Sequence, residues 1–298
     1  MRTRVVASRL RKRPQKSSGG ELAGSGVVRP YSPGPVLYHA LSARNRVPEY
    51  FRHDTHLHVS DLLKECVRKV AIADALDRVI LKDPLYFNIG LVFEQGRAIE
   101  RFLTDQMKAR LPNELYGKWR CPCQHTEFLG VYTDALDHDK CPRCDQPPLD
   151  YNEIEYKDDE YMISGSVDFH LLRDGALLPV ESKSINSNKW KDLIKPDPNH
   201  VLQVLTYWHL MERKGLPLHD LALIAYTGKD VYRGFPIKEY PQHASRSMSR
   251  IEHLVEEAKE WAEFRNSGEI PPRRCCTSGR SPKARKCQFV HECFHDFE

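Results

Sequence analysis

Three charged residues, Asp168, Glu181 and Lys183, have the types and the spacing of a site for a divalent cation beside a phosphodiester. They fall in two stretches that are rich in Val, Ile, Leu and Phe, at 161–172 and 177–184, and an Asp-Gly pair between the stretches is typical of a tight hairpin turn. The sequence therefore predicts two antiparallel strands that bring the two acids side by side.

The spacing within E-S-K predicts which way these side chains point. Because side chains alternate between the two faces of a strand, Glu181 and Lys183 project to one side and Ser182 to the other. Two carboxylates and an ammonium on one half-buried sheet face are poorly tolerated without a bound cation. Hard oxygen ligands favour Mg²⁺ or Mn²⁺. The alternative is a solvated strand face with an incidental Glu/Lys pair.

A polar stripe on the next predicted helix strengthens the interpretation as a site. His200, Gln203 and Tyr207 recur at positions i, i+3 and i+7, so they share one face of that helix. Their apolar neighbours already supply enough surface for packing. The alternative is an amphipathic helix whose polar face only meets water.

The order of these motifs resembles the RecB-like branch of the PD-(D/E)xK nuclease superfamily, which includes AddB-type and four-cysteine CRISPR-associated iron–sulfur exonucleases. The matching residues are G-x-V-D ending at Asp168, E-x-K from Glu181 to Lys183, and Q-x-x-x-Y from Gln203 to Tyr207. The proline of the superfamily name is replaced here by Val167, which leaves the acidic ligand intact.

The resemblance implies a metal site built from several ligands. Asp168, Glu181 and the backbone carbonyl of Ser182 would hold one or two Mg²⁺ or Mn²⁺ ions. Upstream, E-Q-G-R-A-I-E resembles the first helix of the family, where the match falls on Gly96 and Glu100. Glu100 stands where many members have a metal-binding His, and it is the further ligand that the resemblance implies.

The resemblance also implies the chemistry. Lys183 would position the attacking water and stabilise charge, while Gln203 and Tyr207 would hold the motif or a DNA phosphate. The expected function is a metal-dependent DNA exonuclease that hydrolyses single strands or duplex ends in recombination, repair or replication, with a helicase or recombination protein as a partner. The alternatives are a non-cleaving nucleic-acid-binding or scaffold protein with the same fold, and a redox sensor.

Nine cysteines form two sets, of which the outer set flanks the motifs. The resemblance implies that four of its thiolates bind a [4Fe-4S] cluster. Those four are Cys66, Cys287, Cys293 and one of Cys275 or Cys276. A ten-residue basic stretch stands where the family has two residues between its first two C-terminal cysteines. Free buried cysteines or a zinc site are the alternatives; disulfides fit an odd count without a signal peptide less well.

The inner set reads C-P-C and then C-P-R-C, and it resembles a zinc ribbon with two knuckles. Its members are Cys121, Cys123, Cys141 and Cys144. Four thiolates in two close pairs suit tetrahedral Zn²⁺ in a structural role, and the prolines favour the tight turns that such pairs need. Because the first pair is one residue shorter than the usual C-x-x-C, His125 or His138 could take the place of a cysteine. Unligated surface cysteines are the alternative.

Charge and composition indicate an intracellular protein. The net charge is +4, but residues 1–20 carry seven basic and no acidic side chains, which leaves −3 for residues 21–298. Affinity for DNA must then come from local patches, namely the N-terminal arm and the basic residues within 273–286. The start is too charged for a signal sequence, and no apolar run approaches the roughly twenty residues that span a bilayer. A reducing, cytoplasmic location without membrane contact is expected.

With 298 residues, of which 40% are hydrophobic, the chain can bury one sizeable core. The predicted fold is α/β, with a restriction-endonuclease-like core in which helices flank a mixed central sheet. We expect a flexible basic tail at 1–35, a nuclease domain at 36–298, a zinc-finger-like insertion at 117–149 and an iron–sulfur segment at 267–298. The predicted helices lie near 58–72, 91–110, 199–214 and 245–266, and further strands lie near 220–227 and 231–237.

Overall fold

The computed structural model of this protein describes residues 56–63, 66–78, 80, 87–229, 236–246 and 248–296. They form a mixed α/β fold with a seven-stranded mixed sheet and a second, three-stranded sheet. The predicted tail at 1–35 lies outside the described residues. In the part of the chain that is described, no helix has both the length and the apolar character needed to cross a membrane.

The strands and helices follow in chain order. The strands are β1 (Leu57–His58), β2 (Leu115–Arg120), β3 (Glu127–Val131), β4 (Asp150–Asn152), β5 (Ile154–Asp158), β6 (Ile163–Val167), β7 (Phe169–Arg173), β8 (Ala176–Ile185), β9 (Leu221–Gly228) and β10 (Ile237–His243). The helices are α1 (Val59–Leu62), α2 (Val67–Ala75), α3 (Phe87–Arg110), α4 (Tyr132–Leu136), α5 (Ser187–Asp192), α6 (Pro198–Arg213), α7 (Met248–Ser267) and α8 (Pro282–Arg285). A 3-10 turn at Ala244–Arg246 and a π turn at Glu292–Asp296 complete them.

The large sheet has the order β10-β9-β8-β7-β2-β3, and β4 also pairs with β2. Strands β8 and β9 are parallel, whereas the other pairs of this sheet are antiparallel. The predicted hairpin between β7 and β8 is confirmed. Its two turn residues, Asp174 and Gly175, both have positive φ, at 52° and 79°, as a two-residue turn that follows the twist of the sheet requires.

The predicted strand at 161–172 is wrong in one respect, because the chain changes sheets within it. Strand β6 pairs with β5 and β1 in the small sheet, β7 pairs with β8 and β2 in the large one, and Asp168 is the single residue between them. Ile163 and Val167 pack in the core around α6, while Phe169 packs in the cluster below α3. Apolar alternation predicted a strand here but could not show which sheet each half joins.

Helices cover both faces of the large sheet, as the alternation along β9 shows. Ile224 and Tyr226 pack in the core that α6 and α7 cover, whereas Leu223 and Ala225 face the cluster below α3. The same alternation in β8 turns Val180 toward α3. Glu181 and Lys183 therefore face α6, on the side that the sequence predicted for both of them.

The other predicted helices and strands agree with the structure in part. Helices α3, α6 and α7 lie within a few residues of their predicted bounds. The predicted helix at 58–72 is wrong: the chain forms α1 and α2 instead, with Cys66 as the N-cap of α2. Of the second predicted strand at 231–237, residues 236 and 237 are described: Pro236 lies outside any strand, and Ile237 begins β10. The insertion expected at 117–149 stays a prediction, because the residues of β2 that pair with β7 are Leu115 and Tyr116, just before it.

Candidate active site

The five residues that the sequence singled out as catalytic line one pocket of about 450 Å³. They are Asp168, Glu181, Lys183, Gln203 and Tyr207. The pocket lies between strand β8, the crossing from β6 to β7, and helix α6. Its wall is completed by His58, Ser60, Leu63, Glu153, Ser166, Asp197, Asn199 and His200.

The two acids stand opposite each other across the hairpin. Phe169 pairs with Val180, so the next step of the ladder places Asp168 opposite Glu181. The Asp168 carboxylate accepts a hydrogen bond of 2.7 Å from the backbone N–H of Ser182, which fixes it against β8. The strand pair thus aligns both acids along one edge of the pocket.

Glu181 is almost completely buried, with 1% of its surface exposed. Its Oε1 forms an ion pair with the Lys183 ammonium. Its Oε2 is also buried and has no hydrogen-bond partner among the residues that the structure describes. A buried carboxylate oxygen without a partner costs free energy, and a bound cation would satisfy it.

Burial and like charge control the protonation of this group of residues. Burial raises the pKa of Glu181 to about 8, and the negative charge of Asp168 adds to the effect. Burial also raises the pKa of Asp168, against the opposing effects of Lys183 and of the Ser182 N–H. Burial alone would lower the pKa of Lys183, but the carboxylates of Glu181 and Asp168 outweigh it and raise that pKa. The lysine therefore stays charged, and one ammonium faces two acids.

Helix α6 carries the polar stripe that lines the pocket, and hydrogen bonds hold the N-terminus of this helix in place. The Asp197 side chain caps its N-terminus, and the backbone N–H of Asp197 donates to the Tyr226 hydroxyl at 2.9 Å. His200 Nδ1 lies 2.7 Å from the same hydroxyl. One turn further along, the Gln203 amide donates to the Tyr207 hydroxyl at 2.8 Å. His200 is thus bound to the sheet, while Gln203 and Tyr207 form a joint unit beside Glu181.

The Tyr207 ring occupies space that a glycine leaves free. A Cβ atom added to Gly165 would lie 2.4 Å from Tyr207 Cε1 and 2.7 Å from its Cδ1. Tyr207 is 1% exposed, so its ring has no free volume to move into. Strand β6 therefore needs glycine at this position for the ring to reach the pocket.

Four tyrosines in and around the pocket hold their protons tightly. Burial raises the pKa of each hydroxyl above its ordinary value of 10; the residues are Tyr151, Tyr156, Tyr207 and Tyr226. Tyr151 uses its proton to donate to the backbone carbonyl of Asp168 at 2.9 Å. These phenols consequently act as neutral hydrogen-bonding groups at any ordinary pH.

Glu100 lies beside the pocket rather than in it. It lines a neighbouring groove of about 590 Å³ between helix α3 and strands β2 and β4. Burial raises the pKa of Glu100, and the charge of Asp168 raises it further, so the two carboxylates are close enough to interact. Gly96, one turn earlier, faces Ser184, whose Oγ would be 3.2 Å from an added Cβ. Helix α3 thus lies close to β8 at Gly96.

Glu153, which belongs to none of the sequence motifs, lines both the pocket and the groove. It follows Asn152, the last residue of β4, and precedes Ile154, the first residue of β5. The pattern N-E-I-E-Y predicts a strand with outward acids, but nothing in it distinguishes Glu153 from Glu155. Only the sheet crossing at this point brings Glu153 to the pocket.

The inner cysteines converge on one point, where they could hold a metal ion. The ligand atoms of Cys121, Cys123, Cys141 and Cys144 all lie within 4.8 Å of one another. They belong to two similar turns: the Cys121 N–H donates to the Thr126 carbonyl at 3.1 Å, and the Cys141 N–H donates to the Gln146 carbonyl at 3.0 Å. The group of four is complete without His125 or His138. A tetrahedral site is the arrangement that these donors suit.

The outer cysteines also meet, around a different cavity. Its lining includes all five thiols at 66, 275, 276, 287 and 293, together with apolar side chains such as Ile72 and Phe289. Arg68 Nε donates to Cys293 Sγ at 3.3 Å. Burial raises the pKa of Cys275, and the neighbouring thiols of Cys276 and Cys66 add to it. Sulfur donors in an apolar enclosure fit an iron–sulfur cluster in their chemistry.

The two cysteine sets and the acidic pocket differ in spacing. Among the described residues, only the inner cysteines form a group of three or more Cys, His, Asp or Glu side chains whose ligand atoms all lie within 4.8 Å. In the described part of the chain, no three ligand atoms of the outer thiols or of the pocket carboxylates all lie within 4.8 Å of one another, which is the spacing that the ligands of a single ion need. Their wider spacing is compatible with a cluster of several atoms in the first case and with more than one cation in the second.

Comparisons with known proteins find a likeness of fold among solved structures. No protein-family model matches the chain, and no curated protein matches it by sequence. Among solved structures, the fold is similar to the crystal structure of an alkaline exonuclease from Laribacter hongkongensis, with a TM-score of 0.40 and 10% sequence identity. The match covers 77% of this chain and 97% of that chain.

Proposed function

We propose that this protein is a divalent-metal-dependent deoxyribonuclease of the PD-(D/E)xK type, with a restriction-endonuclease-like core. The observation that carries the proposal is the buried Oε2 of Glu181, which has no partner among the described residues although it lies beside Asp168 and Lys183. A buried polar atom without a partner calls for an explanation, and a bound ion is one that fits the charges around this atom. The ligand that suits a carboxylate oxygen between a second acid and an ammonium is a hard cation.

Each residue of the pocket has its own role in the proposed hydrolysis of a phosphodiester. Asp168, Glu181 and the Ser182 carbonyl would hold Mg²⁺ or Mn²⁺, with Glu100 as a further ligand from the groove side. When bound, the metal polarises the phosphate and lowers the pKa of a bound water. Lys183, which remains an ammonium, orients that water and stabilises negative charge on the phosphate. We assign it no role as a general base, because its pKa is raised.

The Gln203–Tyr207 unit serves as the positioning element of this site. Tyr207 stays protonated, so its hydroxyl can donate a hydrogen bond to a phosphate oxygen while it accepts one from Gln203. Both side chains start from a helix that Tyr226 ties to the sheet. Substrate phosphate held in this way would face Glu181 of β8 and Asp168 across the pocket.

An acidic pocket argues against a protein that only binds nucleic acid. Within the pocket itself, four acids outnumber the single Lys183 ammonium, and such a surface repels the phosphate backbone; they are Glu153, Asp168, Glu181 and Asp197. Acids in a site that only binds nucleic acid would weaken its binding. In a nuclease, bound metal ions at the scissile bond offset the repulsion. Exonucleolytic action on single strands or duplex ends, in recombination, repair or replication, is the form of activity that the motif resemblance favours.

The decisive assay uses end-labelled single-stranded and double-stranded DNA with and without Mg²⁺ or Mn²⁺. We expect metal-dependent release of short products, and at least a 100-fold loss of rate in Asp168→Asn and Lys183→Met. Glu155→Gln, on the exposed side of β5, is the control and should cleave like the wild type. A circular substrate of the same sequence tests for internal cleavage. Full activity of Asp168→Asn would overturn the assigned centre.

We further propose Zn²⁺ in the inner cysteine group and a [4Fe-4S] cluster between the outer cysteines. Four thiols within 4.8 Å suit one tetrahedral ion. Five thiols around an apolar cavity leave one to spare for a four-thiolate cluster, and Cys275, next to Cys66, is our choice over Cys276. Anaerobic purification should give a brown protein with about four irons and one zinc per chain. A colourless protein that contains only zinc would remove the cluster.

A further inference from the structure

Arg68 is a buried arginine that joins the two chain segments which carry the outer cysteines. It lies in α2, two residues after the capping Cys66, and 6% of its surface is exposed. Its guanidinium group reaches the C-terminal segment, where Nη1 donates to the Pro271 carbonyl at 2.5 Å and Nη2 donates to the Cys293 carbonyl at 3.4 Å. One side chain thus connects α2 to the segment that holds the other four outer cysteines.

A further hydrogen bond of the guanidinium group goes to a sulfur atom. Arg68 Nε donates to Cys293 Sγ at 3.3 Å. Cys293 is 7% exposed and lines the cavity of the outer cysteines. Two backbone carbonyls are enough to hold a chain segment in place, so a purely structural arginine does not need the bond to sulfur. A hydrogen bond from a charged donor acts on the electrons of that sulfur.

The described residues that form the wall of this cavity include one basic side chain, Lys69, and no acid. Two aromatic rings of the wall also have an arginine above them. Arg78 lies 5.0 Å from the centre of the Phe289 ring, and Arg273 lies 4.1 Å from the centre of the Phe294 ring. A cavity with such surroundings suits a group of negative charge.

Acids do occur beside the cavity, and basic side chains outnumber them. Glu292, next to Cys293, forms an ion pair of 2.5 Å with Arg78. Glu257 and Glu260 line an adjoining cavity of about 350 Å³ that also contains Cys66 and Cys275, and Glu260 pairs with Arg274. Against these three acids stand six basic side chains that line one of the two cavities or contact its wall: Arg68, Lys69, Arg78, Arg273, Arg274 and Lys283.

We propose that Arg68 is a positioning residue for the [4Fe-4S] cluster, which fixes the Cys293 thiolate and stabilises the reduced state through the N–H···S hydrogen bond. The inference rests on the cluster that we propose for the outer cysteines. With four thiolates, such a cluster carries a net charge of about −2 when oxidised and about −3 when reduced by one electron. A buried guanidinium group bound to one of the sulfurs favours the more negative state, because the attraction grows with the charge.

Arginine can make these three contacts at once because its donors form a planar fork, whereas lysine offers a single ammonium. Arg68→Lys therefore keeps the charge and loses part of the contacts, and Arg68→Met loses both. Arg78→Met is the matched control. Arg78 also contacts the C-terminal segment, through the Glu292 carboxylate and the Phe289 ring rather than through a sulfur.

The reduction potential of the cluster tests this role apart from catalysis. Full-length proteins are purified anaerobically, compared by iron content and circular dichroism, and titrated with dithionite while electron paramagnetic resonance follows the reduced cluster. At a given potential, Arg68→Met should have a ratio of reduced to oxidised cluster at least tenfold below that of the wild type, which is a shift of about 59 mV for one electron. Arg68→Lys should lie between the two, and Arg78→Met should agree with the wild type to within about twofold.

A second measurement needs no variant of Arg68. In wild-type protein that contains ¹⁵N-labelled arginine, pulsed electron paramagnetic resonance of the reduced cluster should detect coupling to an arginine nitrogen. The N–H···S hydrogen bond carries unpaired spin from the cluster to Nε, whereas an arginine that only holds the backbone does not receive it. The coupling should persist in Arg78→Met. This result decides the question if Arg68→Met fails to fold or lacks iron.

The outcomes separate the inference from the proposals that it rests on. A more negative potential in Arg68→Met, together with nitrogen coupling in the wild type, supports the positioning role. If the potential of an iron-loaded Arg68→Met equals that of the wild type, or if the wild type shows no coupling, Arg68 only holds the C-terminal segment and the inference is wrong while the cluster stands. If anaerobically purified wild type contains no iron, the cluster proposal fails and this inference with it, whereas the nuclease proposal is unaffected.

Discussion

The raised pKa of Glu181 predicts a measurable dependence of stability on pH in protein without added divalent cations. The carboxyl group has a pKa of about 8 in the folded chain against an ordinary value of 4.5. Between these two pH values the folded state binds a proton that the unfolded state has lost, so stability falls as the pH rises. The contribution is fully present below pH 4.5 and is lost above pH 8.

The size of this effect follows from the width of that window. At 1.36 kcal/mol for each pH unit, a window from 4.5 to 8 has a ceiling of about 5 kcal/mol. Replacing Glu181 with Gln keeps the shape and removes the ionisation. We therefore expect the stability of Glu181→Gln relative to the wild type to rise by about 2–5 kcal/mol from pH 4.5 to pH 8.5, on top of a separate cost for the Lys183 ammonium, which loses its partner.

Urea denaturation followed by tryptophan fluorescence, at half-unit steps from pH 4.5 to 9, measures this directly. Glu155→Gln, on an exposed strand position, should follow the wild-type curve to within about 0.5 kcal/mol. Addition of Mg²⁺ at pH 8.5 should restore stability to the wild type and have little effect on Glu181→Gln. Parallel curves for the wild type and Glu181→Gln across the whole range would refute the reasoning.

Three further predictions concern Gly165, Tyr156 and the inner cysteine group. Gly165→Ala should destabilise the protein by about 1–3 kcal/mol in urea denaturation and slow cleavage, because its Cβ would overlap the Tyr207 ring; an equally stable and active variant would contradict this. Tyr156→Phe removes the hydrogen bond of 2.9 Å to His170, which is fully buried and whose pKa burial lowers to about 3. Its cost of about 1–2 kcal/mol should be the same at pH 5 and pH 9, and a pH-dependent cost would show that the histidine is charged. Cys144→Ser should abolish zinc in elemental analysis and admit protease cleavage within 121–144; unchanged zinc content would exclude this cysteine as a ligand.

The sequence predicted those parts of the site that lie on single, regular elements. Glu181 and Lys183 follow from the period of two along β8, and Gln203 and Tyr207 follow from the period of a helix. The hairpin turn was readable because Asp-Gly allows positive φ at both positions. In each of these cases local geometry alone sets the direction of the side chain.

The remaining features depend on contacts between segments that are distant in the sequence. Glu153 reaches the pocket only because β4 and β5 belong to different sheets, and no local pattern encodes that change. The break at Asp168 was missed for the same reason. Cys66 was expected inside a helix, but it caps α2, which starts one residue later. The choice between an interior and a capping position there depends on packing against the C-terminal segment rather than on helix propensity.

The tyrosines around the pocket affect how the site responds to a rise in pH. Their hydroxyls at 151, 156, 207 and 226 keep their protons beyond pH 10, whereas Glu181 releases its proton near pH 8. In mildly basic solution the Glu181 carboxyl group thus becomes charged, while the hydrogen bonds that these tyrosines make to the neighbouring segments stay unaltered. The proposed metal site would therefore bind cations more tightly as the solution turns basic, with the surrounding hydrogen bonds kept.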